Sequence, residues 1–342
     1  MTTSFPRPFR LPVFALTAAA ALALTACAAP ISETAEEETT KLDVTEITID
    51  TTSLSGANEI AKVGGFFEEQ FEPLGITVNY SQLGTSSQML EGIASGDLDF
   101  TDIGYSALPT GGAAGVDFTI IGQASEGGGD VILAPSGGAT SISDLVGKTV
   151  ASSKSSSGWA LLVRALDAEG LSTDDIELID LKPDEAQNAF LTNQIDAWAT
   201  WAGNTTDAIT DANSEIIASG EDLGLIPGAI VARGELTAGA PEVVTAFLTA
   251  RAQALAWLAD DEGAVVAAIA ADRQADPAIV EKFLGLSVAV SHPIDDAVLA
   301  NYQATADLFF ELGEVGAAVD IAALVDSSFF DGVEVVDSTT AQ

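Results

Sequence analysis

Apolar and polar residues along this chain recur with two different periods, and the change from one period to the other predicts where strands and helices lie. Residues 46–50 alternate with a period of two, which is typical of a half-buried strand, and the Ser/Gly-rich residues 53–56 form a turn. The apolar residues that follow, up to Phe71, recur at helical spacing. Residues 76–81 are predicted to form the next strand, and Gly84 with the serines after it opens another helix.

The same alternation of strands and helices continues, and after residue 135 it starts again. The first group ends with a strand over 99–103, a helix over 104–115 and apolar strand-like runs over 118–123 and 131–134. The second group has a strand that ends at Val150, a helix opened by residues 155–158, a strand over 177–181, a helix that begins at Pro183 and a strand over 195–198. This order favours parallel sheets with helices on both faces.

The two groups resemble each other in one segment. Residues 90–103 read as a helix, then Gly96-Asp97-Leu98-Asp99, then a short strand. Residues 190–200 read as a helix, then Asn193-Gln194-Ile195-Asp196, then a short strand. Two similar α/β lobes are what a hinged cleft needs. From Pro241 onward the chain is predicted to be mostly helical, and Trp257 is expected to pack in that part of the core.

The amino terminus has the pattern of a secretory leader. Arg7 and Arg10 precede an apolar run over residues 11–23, which is too short to cross a bilayer. The run ends in Leu24-Thr25-Ala26-Cys27, which resembles the bacterial lipoprotein box. That resemblance implies a signal peptide over 1–26 and a lipid anchor on Cys27; an ordinary secretory signal with an incidental cysteine is the alternative. The Thr- and Glu-rich residues after Cys27 are predicted to be a solvated tether over 27–44.

Composition narrows the possible functions. The chain has 12 basic and 51 acidic residues, a net charge of −39, and such a surface repels nucleic acid and anionic headgroups. Cys27 is the only cysteine and His292 the only histidine. The chain therefore has too few of these residues for an internal disulfide or a His/Cys metal site, and a Ser-His-Asp triad would have to use His292. We expect a monomer with no cofactor, no bound metal and no enzyme activity. An anionic ligand would have to be attracted by local dipoles.

Several motifs carry a more specific resemblance. Most of these motifs lie in the second group of strands and helices, and one lies in the first group. Those in the second group are Asp144-Leu145-x-Gly147-Lys148-x-Val150, Lys154-Ser155-Ser156-Ser157, Ala165-Leu166-x-x-Glu169-Gly170-Leu171, Pro183-x-Glu185-Ala186 and Ile195-Asp196-Ala197-Trp198-Ala199-Thr200-Trp201. The one in the first group is Gly96-Asp97-Leu98-Asp99-Phe100. Together they resemble aliphatic-sulfonate, taurine and nitrate-type binding proteins over roughly residues 46–312.

This resemblance implies a fold and a function. The expected fold is the two-lobe α/β type II periplasmic-binding-protein fold, with lobe 1 over 45–135 plus 234–342, lobe 2 over 136–233, and hinges near 135 and 234. The expected function is the extracytoplasmic solute-binding component of an ABC importer, which captures an alkanesulfonate or taurine and docks on a permease. Nitrate, a quaternary ammonium or a thiamine-precursor-like ligand are alternatives, as are a sensory receptor and an enzyme related to thiamine-pyrimidine synthases.

Two kinds of side chain are candidate ligand contacts. Serines where a loop meets a helix add hydroxyl donors to the free N–H groups of the helix end, which favours an anion, although each can be a plain N-cap. Tryptophans near predicted strand ends can cover an apolar tail, although Trp198 can equally be core. The candidates are Ser55, Gly84, Thr85, Ser86, Ser87, Tyr105, Ser156, Ser157, Trp159, Trp198 and Trp201. Lys154 is either near the ligand or solvated, and residues 127–129 form a glycine-rich connection.

The chain departs from the sulfonate-binding pattern where the organic part of the ligand would lie. It has Ser155-Ser156-Ser157 in place of Gly-Ser-Ser, Trp159 in place of a small or polar residue, and Ala202-Gly203 in place of an Asp-Pro pair. The pocket is therefore expected to differ on that side. Three tryptophans would also permit an aromatic cage for a quaternary ammonium.

Overall fold

The computed structural model describes residues 42–127, 129–154, 156–201, 214–224, 226–286 and 288–335. The predicted signal peptide, the lipidation site at Cys27, most of the predicted tether, Ser155 and the Ala202-Gly203 pair lie outside these residues. The described chain forms two lobes, each built on its own mixed sheet with helices against it, as expected.

Strands and helices alternate along the chain as the pattern predicts. The strands are β1 (Glu46–Asp50), β2 (Thr77–Ser81), β3 (Phe100–Ile103), β4 (Phe118–Ser125), β5 (Val131–Pro135), β6 (Thr149–Ser152), β7 (Glu177–Asp180), β8 (Ala197–Thr200), β9 (Ser214–Ser219), β10 (Ala229–Arg233) and β11 (Ala289–His292). The helices are α1 (Ala57–Gly64), α2 (Phe66–Phe71), α3 (Ser86–Ser95), α4 (Ala107–Ala114), α5 (Ser157–Ala168), α6 (Pro183–Leu191), α7 (Gly220–Leu223), α8 (Gly234–Gly239), α9 (Pro241–Asp260), α10 (Glu262–Arg273), α11 (Pro277–Leu286) and α12 (Asp296–Glu311).

Apart from the edge strand β11, which pairs antiparallel with β4 in the first sheet, the two sheets share one topology. In the first lobe the order is β11-β4-β10-β3-β1-β2, and in the second it is β7-β6-β8-β5-β9. In each sheet one strand enters from the other half of the chain and runs antiparallel to its neighbours: β10 between β3 and β4, and β5 between β8 and β9. The parallel strands therefore point their carboxyl ends toward the same edge of each sheet.

Each sheet is covered by apolar side chains on both faces. On one face of the first sheet, α1, α2 and α9 pack over β1 and β3, and Phe247 stacks between Phe67 and Phe100 with ring centroids 5.6 and 4.1 Å away. On the other face, α3, α4 and α12 form a second core. The second sheet has two smaller cores, under α5 and under α6. Burial on both faces explains why its strands read as apolar runs.

The segments that resemble each other in sequence also have the same structure. Gly96 and Asn193 both end a helix in the left-handed region, with φ of 79° and 53°. Three residues later, Asp99 accepts a hydrogen bond from the backbone N–H of Thr48 at 2.7 Å, and Asp196 accepts one from Thr149 at 2.9 Å. In each lobe this aspartate ties the start of one parallel strand to its neighbour. The repeat therefore has a structural cause.

The structure places two strands in the lobe opposite to the one that the sequence analysis assigned to their residues. β5 was expected in lobe 1, but it pairs with β8 and β9; β10 was expected in lobe 2, but it pairs with β3 and β4. The chain therefore crosses from one sheet to the other between β4 and β5 and again between α7 and β10, and not near 135 and 234. These crossing segments touch each other: Gly127 has φ +82°, and a Cβ there would lie 2.9 Å from the Ile226 carbonyl oxygen.

Candidate functional site

A cavity of about 540 Å³ lies between the lobes, beyond the carboxyl ends of their parallel strands. Ligands bind at this edge in open α/β sheets. The first lobe contributes the loops after β1, β2 and β3, the second lobe contributes the loops after β6, β7 and β8, and both crossing segments form part of the wall. A ligand in this cavity would contact both lobes at once.

Helix N-termini from both lobes meet at this cavity. The residues that precede α1, α3, α5 and α6, which are Gly56, Thr85, Ser156 and Lys182, all line it. Each helix end carries backbone N–H groups without an intrahelical acceptor and the positive end of the helix dipole. The cavity therefore has a local preference for negative charge within a chain whose net charge is −39.

The predicted contacts divide between the cavity wall and its surroundings. Those that line the cavity are Ser55, Gly84, Thr85, Ser86, Tyr105, Ser156, Ser157 and Trp201. Ser87 does not line it, because it lies on the exposed side of the first turn of α3. Two hydroxyls cap their helices: Thr85 accepts from Gln88 N–H at 3.3 Å and Ser156 accepts from Trp159 N–H at 3.1 Å. Ser156 therefore caps α5 and also lines the cavity.

Two of the three candidate tryptophans lie in the core. Trp159 is 1% exposed and packs against Phe309, and Trp198 is 1% exposed and lies 6.0 Å from the Phe190 ring. Neither lines the cavity, because Trp159 is on the side of α5 that faces the first lobe and Trp198 faces the α6 side of its sheet. The prediction that they contact ligand is corrected accordingly. Trp257 packs on Phe66 beside the core, as expected.

Lys154 is also outside the cavity wall. It is exposed, and its Nζ lies 5.9 Å from the centre of the Trp159 ring. The solvated alternative is therefore the one observed. Among the described lining residues, Lys182 is the only lysine or arginine, and it is exposed. Any attraction for an anion comes mainly from backbone dipoles and hydroxyls.

Carboxyl groups also face the cavity. Asp50 is buried at the end of β1, where Thr52 Oγ1 donates to it at 2.9 Å and the Leu83 N–H at 3.2 Å. Burial raises the pKa of Asp50 above its usual range, and these hydrogen bonds oppose the rise. Asp50 thereby holds together the two loops that precede α1 and α3.

Asp102, on β3, is paired with a buried cation. Nη1 of Arg251 lies 2.8 and 3.0 Å from its two carboxylate oxygens, and Arg251, on α9, has no exposed surface. Arg251 also donates to the Asn58 side chain and to the Val290 carbonyl oxygen. Burial raises the pKa of Asp102, and Arg251 opposes that rise. The pair adds little net charge to the cavity.

Asp130 lies in the first crossing segment and lines the cavity. It is 7% exposed, and Ser157 Oγ donates to its Oδ1 at 2.6 Å. Burial raises the pKa of Asp130 to about 7, against the opposing effects of Ser157 and Arg164. Tyr105 is buried beside it, and burial followed by the charge of Asp130 raises the pKa of the Tyr105 hydroxyl.

The sequence analysis did not identify these carboxyl groups. Asp50 ends an apolar strand, a position that in a parallel sheet falls at the ligand edge, whereas Asp130 comes directly before a strand and reaches that edge only because β5 runs antiparallel. That placement was a usable signal for Asp50. For Asp130 it was not, because its position depends on β5 belonging to the second sheet, which local pattern does not reveal.

The structure describes no arrangement that suggests other chemistry. Within the described ranges, no group of three or more His, Cys, Asp or Glu residues is placed to hold a metal ion. His292 ends β11 and does not line the cavity. No helix in the described part of the chain is both long enough and apolar enough to cross a membrane.

Comparisons with known proteins agree on the fold. Residues 59–264 match the model of the family described as NMT1/THI5 like. A Bacillus subtilis (strain 168) protein, provisionally named as aliphatic sulfonates-binding, is 31% identical over 273 residues, which cover 79% of this chain and 82% of that protein. The alkanesulfonate-binding protein SsuA of Xanthomonas axonopodis pv. citri, solved bound to MOPS, is 29% identical with a TM-score of 0.74, covering 83% of this chain and 99% of that one.

A further solved structure supports the architecture. The periplasmic aliphatic sulphonate binding protein SsuA of Escherichia coli superposes with a TM-score of 0.71 at 24% identity, covering 83% of this chain and 92% of that chain.

Proposed function

This chain belongs to the NMT1/THI5-like family, and from that membership we propose that it is the extracytoplasmic solute-binding component of an ABC importer that captures a small sulfonate-like anion. An alkanesulfonate or taurine is the expected ligand. The observation that carries the proposal is the meeting of four helix N-termini at one cavity between two lobes.

The helix ends explain how so acidic a chain can hold an anion. A sulfonate has three oxygens, and each can accept hydrogen bonds from free backbone N–H groups at the ends of α1, α3 and α5. The hydroxyl of Ser55 and that of Ser86 line the same wall and add donors. The dipoles are fixed by the fold, so they need no buried lysine or arginine to act on an anion.

The apolar part of the cavity fits an organic tail. Met89, Ile226 and Phe283 line it together with the half-buried Trp201. A ligand with a charged head and a hydrocarbon tail would use both kinds of wall. This favours an alkanesulfonate over nitrate, which has no tail to bury.

A cation is less well supported. Asp50, Asp102 and Asp130 would attract one, but Asp102 is paired with Arg251 and Asp50 accepts hydrogen bonds from its own loops. The aromatic cage considered for a quaternary ammonium needed Trp159 and Trp198, which lie in the core. Of the three rings, only Trp201 lines the cavity.

Calorimetry tests the proposal directly. The protein without residues 1–26 and with Cys27→Ser is titrated with alkanesulfonates of increasing length, taurine, nitrate and betaine. We expect saturable binding of an alkanesulfonate or taurine with one site per chain. Tight betaine binding with no heat from any sulfonate would overturn the anion proposal.

We further propose that Cys27 carries the lipid anchor and that the two lobes close on the ligand about the crossing segments before the monomer docks on a permease. The Leu24-Thr25-Ala26-Cys27 pattern supports the anchor, and two crossing segments are what hinge motion requires. Cys27→Ser should move the protein from the membrane fraction to the soluble fraction of the expressing cells, and unchanged membrane association would contradict lipidation at this residue.

A further inference from the structure

Asp130 occupies a position where a carboxylate and a bound anion would compete. It lies on the crossing segment between the lobes, is 7% exposed and lines the cavity. The Ser157 hydroxyl, in the first turn of α5, donates to its Oδ1 at 2.6 Å. The carboxyl group of Asp130 therefore already lies at one of the helix ends that the proposed function assigns to the ligand.

Two negative charges cannot share this site at low cost. Asp130 is buried, and like charges that lie close together in a buried site repel strongly. An anion held by the free N–H groups of α5 would lie beside the Asp130 carboxyl. A protonated carboxyl removes the repulsion, and its O–H can donate a further hydrogen bond to the anion.

The groups that face Asp130 leave it able to gain a proton near neutral pH. They come from two elements: Ser157 and Arg164 lie on α5, and Tyr105 lies in the loop between β3 and α4. Burial dominates and raises the pKa of Asp130 to about 7, while Ser157 and Arg164 oppose it. Arg164 also donates to the Leu223 and Gly224 carbonyl oxygens, which shares its positive charge between several acceptors.

We propose that Asp130 takes up one proton from solvent when an anion occupies the cavity, and that sulfonate binding is therefore stronger at lower pH. The protonated carboxyl donates to the bound anion, and the anion replaces the lost carboxylate charge at the end of α5. This inference rests on the proposed function, because it requires that the ligand be an anion.

The sign of the pH dependence follows from linkage. Below about pH 7 the carboxyl of the free protein is already protonated, so affinity should reach a plateau there. Above that pH the proton must be taken up on binding, and affinity should fall by up to about tenfold for each pH unit. A cation would give the opposite slope, because it would be bound by the ionised carboxylate.

Calorimetry of the sulfonate that binds tightest in the ligand screen, between about pH 5.5 and 8.5, tests this inference. Titrations at about pH 8 in two buffers with different heats of ionisation measure the protons taken up, and we expect close to one per ligand. Asp130→Asn keeps a similar shape and a donor but has no titratable group, so its affinity should be nearly flat and should exceed that of the unmodified protein at the highest pH.

The matched control is Asp167→Asn, which removes the same charge from an exposed position on α5 away from the cavity. It should keep the pH slope of the unmodified protein. If the Asp130→Asn protein does not fold, Asp130→Ser takes its place, because serine also lacks a group that titrates near neutral pH; proton uptake that persists in this variant would come from another group, such as Asp50 or Asp102, and would overturn the inference. Sulfonate binding with no proton uptake and no pH slope overturns this inference alone, whereas no sulfonate binding at any pH overturns the proposed function.

Discussion

Trp159 packs edge-on against Phe309, with ring centroids 4.6 Å apart and planes inclined at 60°. Trp159 lies in the first turn of α5 in the second lobe, whereas Phe309 lies on α12 in the first lobe, and both are buried. The helix that presents Ser156 and Ser157 to the cavity is therefore anchored in the core of the other lobe. The contact supports the position of the site without forming part of its wall.

We expect Trp159→Ala to lower the free energy of unfolding by about 3–5 kcal/mol, because it leaves a cavity where a large buried ring was. Trp159→Phe should cost less and should leave sulfonate affinity within about twofold. Urea denaturation and calorimetry measure the two effects. A Trp159→Phe protein of unchanged stability that no longer binds ligand would return Trp159 to the binding site.

The sequence predicted the parts of this fold that local pattern controls. The resemblance between residues 90–103 and 190–200 is visible in the sequence, and within these segments Asp99 and Asp196 make equivalent hydrogen bonds to Thr48 and Thr149. The helices that begin near Ser86, Ser157 and Pro183 follow from capping and periodicity. The helix starts depend only on nearby residues, whereas the two aspartate hydrogen bonds join residues 51 and 47 positions apart in the sequence.

Features that depend on long-range pairing could not be predicted in the same way. The lobe membership of β5 and β10 is set by their antiparallel partners, which lie far away in sequence. The residues of β9, β10 and β11 were assigned to lobes, but no strand was predicted over them. The direction in which Trp159 points depends on α12, which lies more than 130 residues later in the chain. The burial of Asp130 depends on the same pairing, so its chemistry is visible only in the folded chain.

The buried pair of Arg251 and Asp102 should show strong thermodynamic coupling. Arg251→Met leaves the Asp102 carboxyl beside the cavity without its cation, and we expect a loss of about 3–5 kcal/mol in the free energy of unfolding. Adding Asp102→Asn should recover at least about 1 kcal/mol, since the carboxylate is then gone. A double-mutant cycle by urea denaturation at neutral pH measures this. Additive losses would mean that the two side chains do not interact.

Trp201 should contribute more to binding as the ligand tail grows longer. Trp201→Ala removes part of the apolar wall, and for a long alkanesulfonate we expect a loss of about 1–2 kcal/mol, or roughly 5- to 30-fold in affinity. Methanesulfonate should lose much less, because it has almost no tail. Trp257→Phe is the control, since Trp257 packs on Phe66 and does not line the cavity. An equal loss for all tail lengths would contradict a role for Trp201 in tail binding.

The ligand-free protein should lose stability as pH rises toward neutral, and Asp130 should account for part of that loss. Asp130 has a pKa of about 7 in the folded protein, compared with 3.8 for an ordinary aspartate. Between these values the folded state binds more protons than the unfolded state, so the free energy of unfolding falls as pH rises. The slope from one such group is at most about 1.4 kcal/mol per pH unit, and it vanishes above about pH 7.

Asp50 and Asp102 also make the free energy of unfolding fall as pH rises, because burial raises the pKa of both carboxyl groups. The contribution of Asp130 is therefore isolated by comparing variants. Relative to the unmodified protein, Asp130→Asn should become progressively more stable as pH rises from about 5 to 7 and then keep a constant advantage. Asp167→Asn, exposed on the same helix, should follow the unmodified protein at every pH. Urea unfolding at several pH values measures the free energy of unfolding of each protein as a function of pH. If the curve for Asp130→Asn ran parallel to that of the unmodified protein throughout, Asp130 would not be the group that titrates near neutral pH.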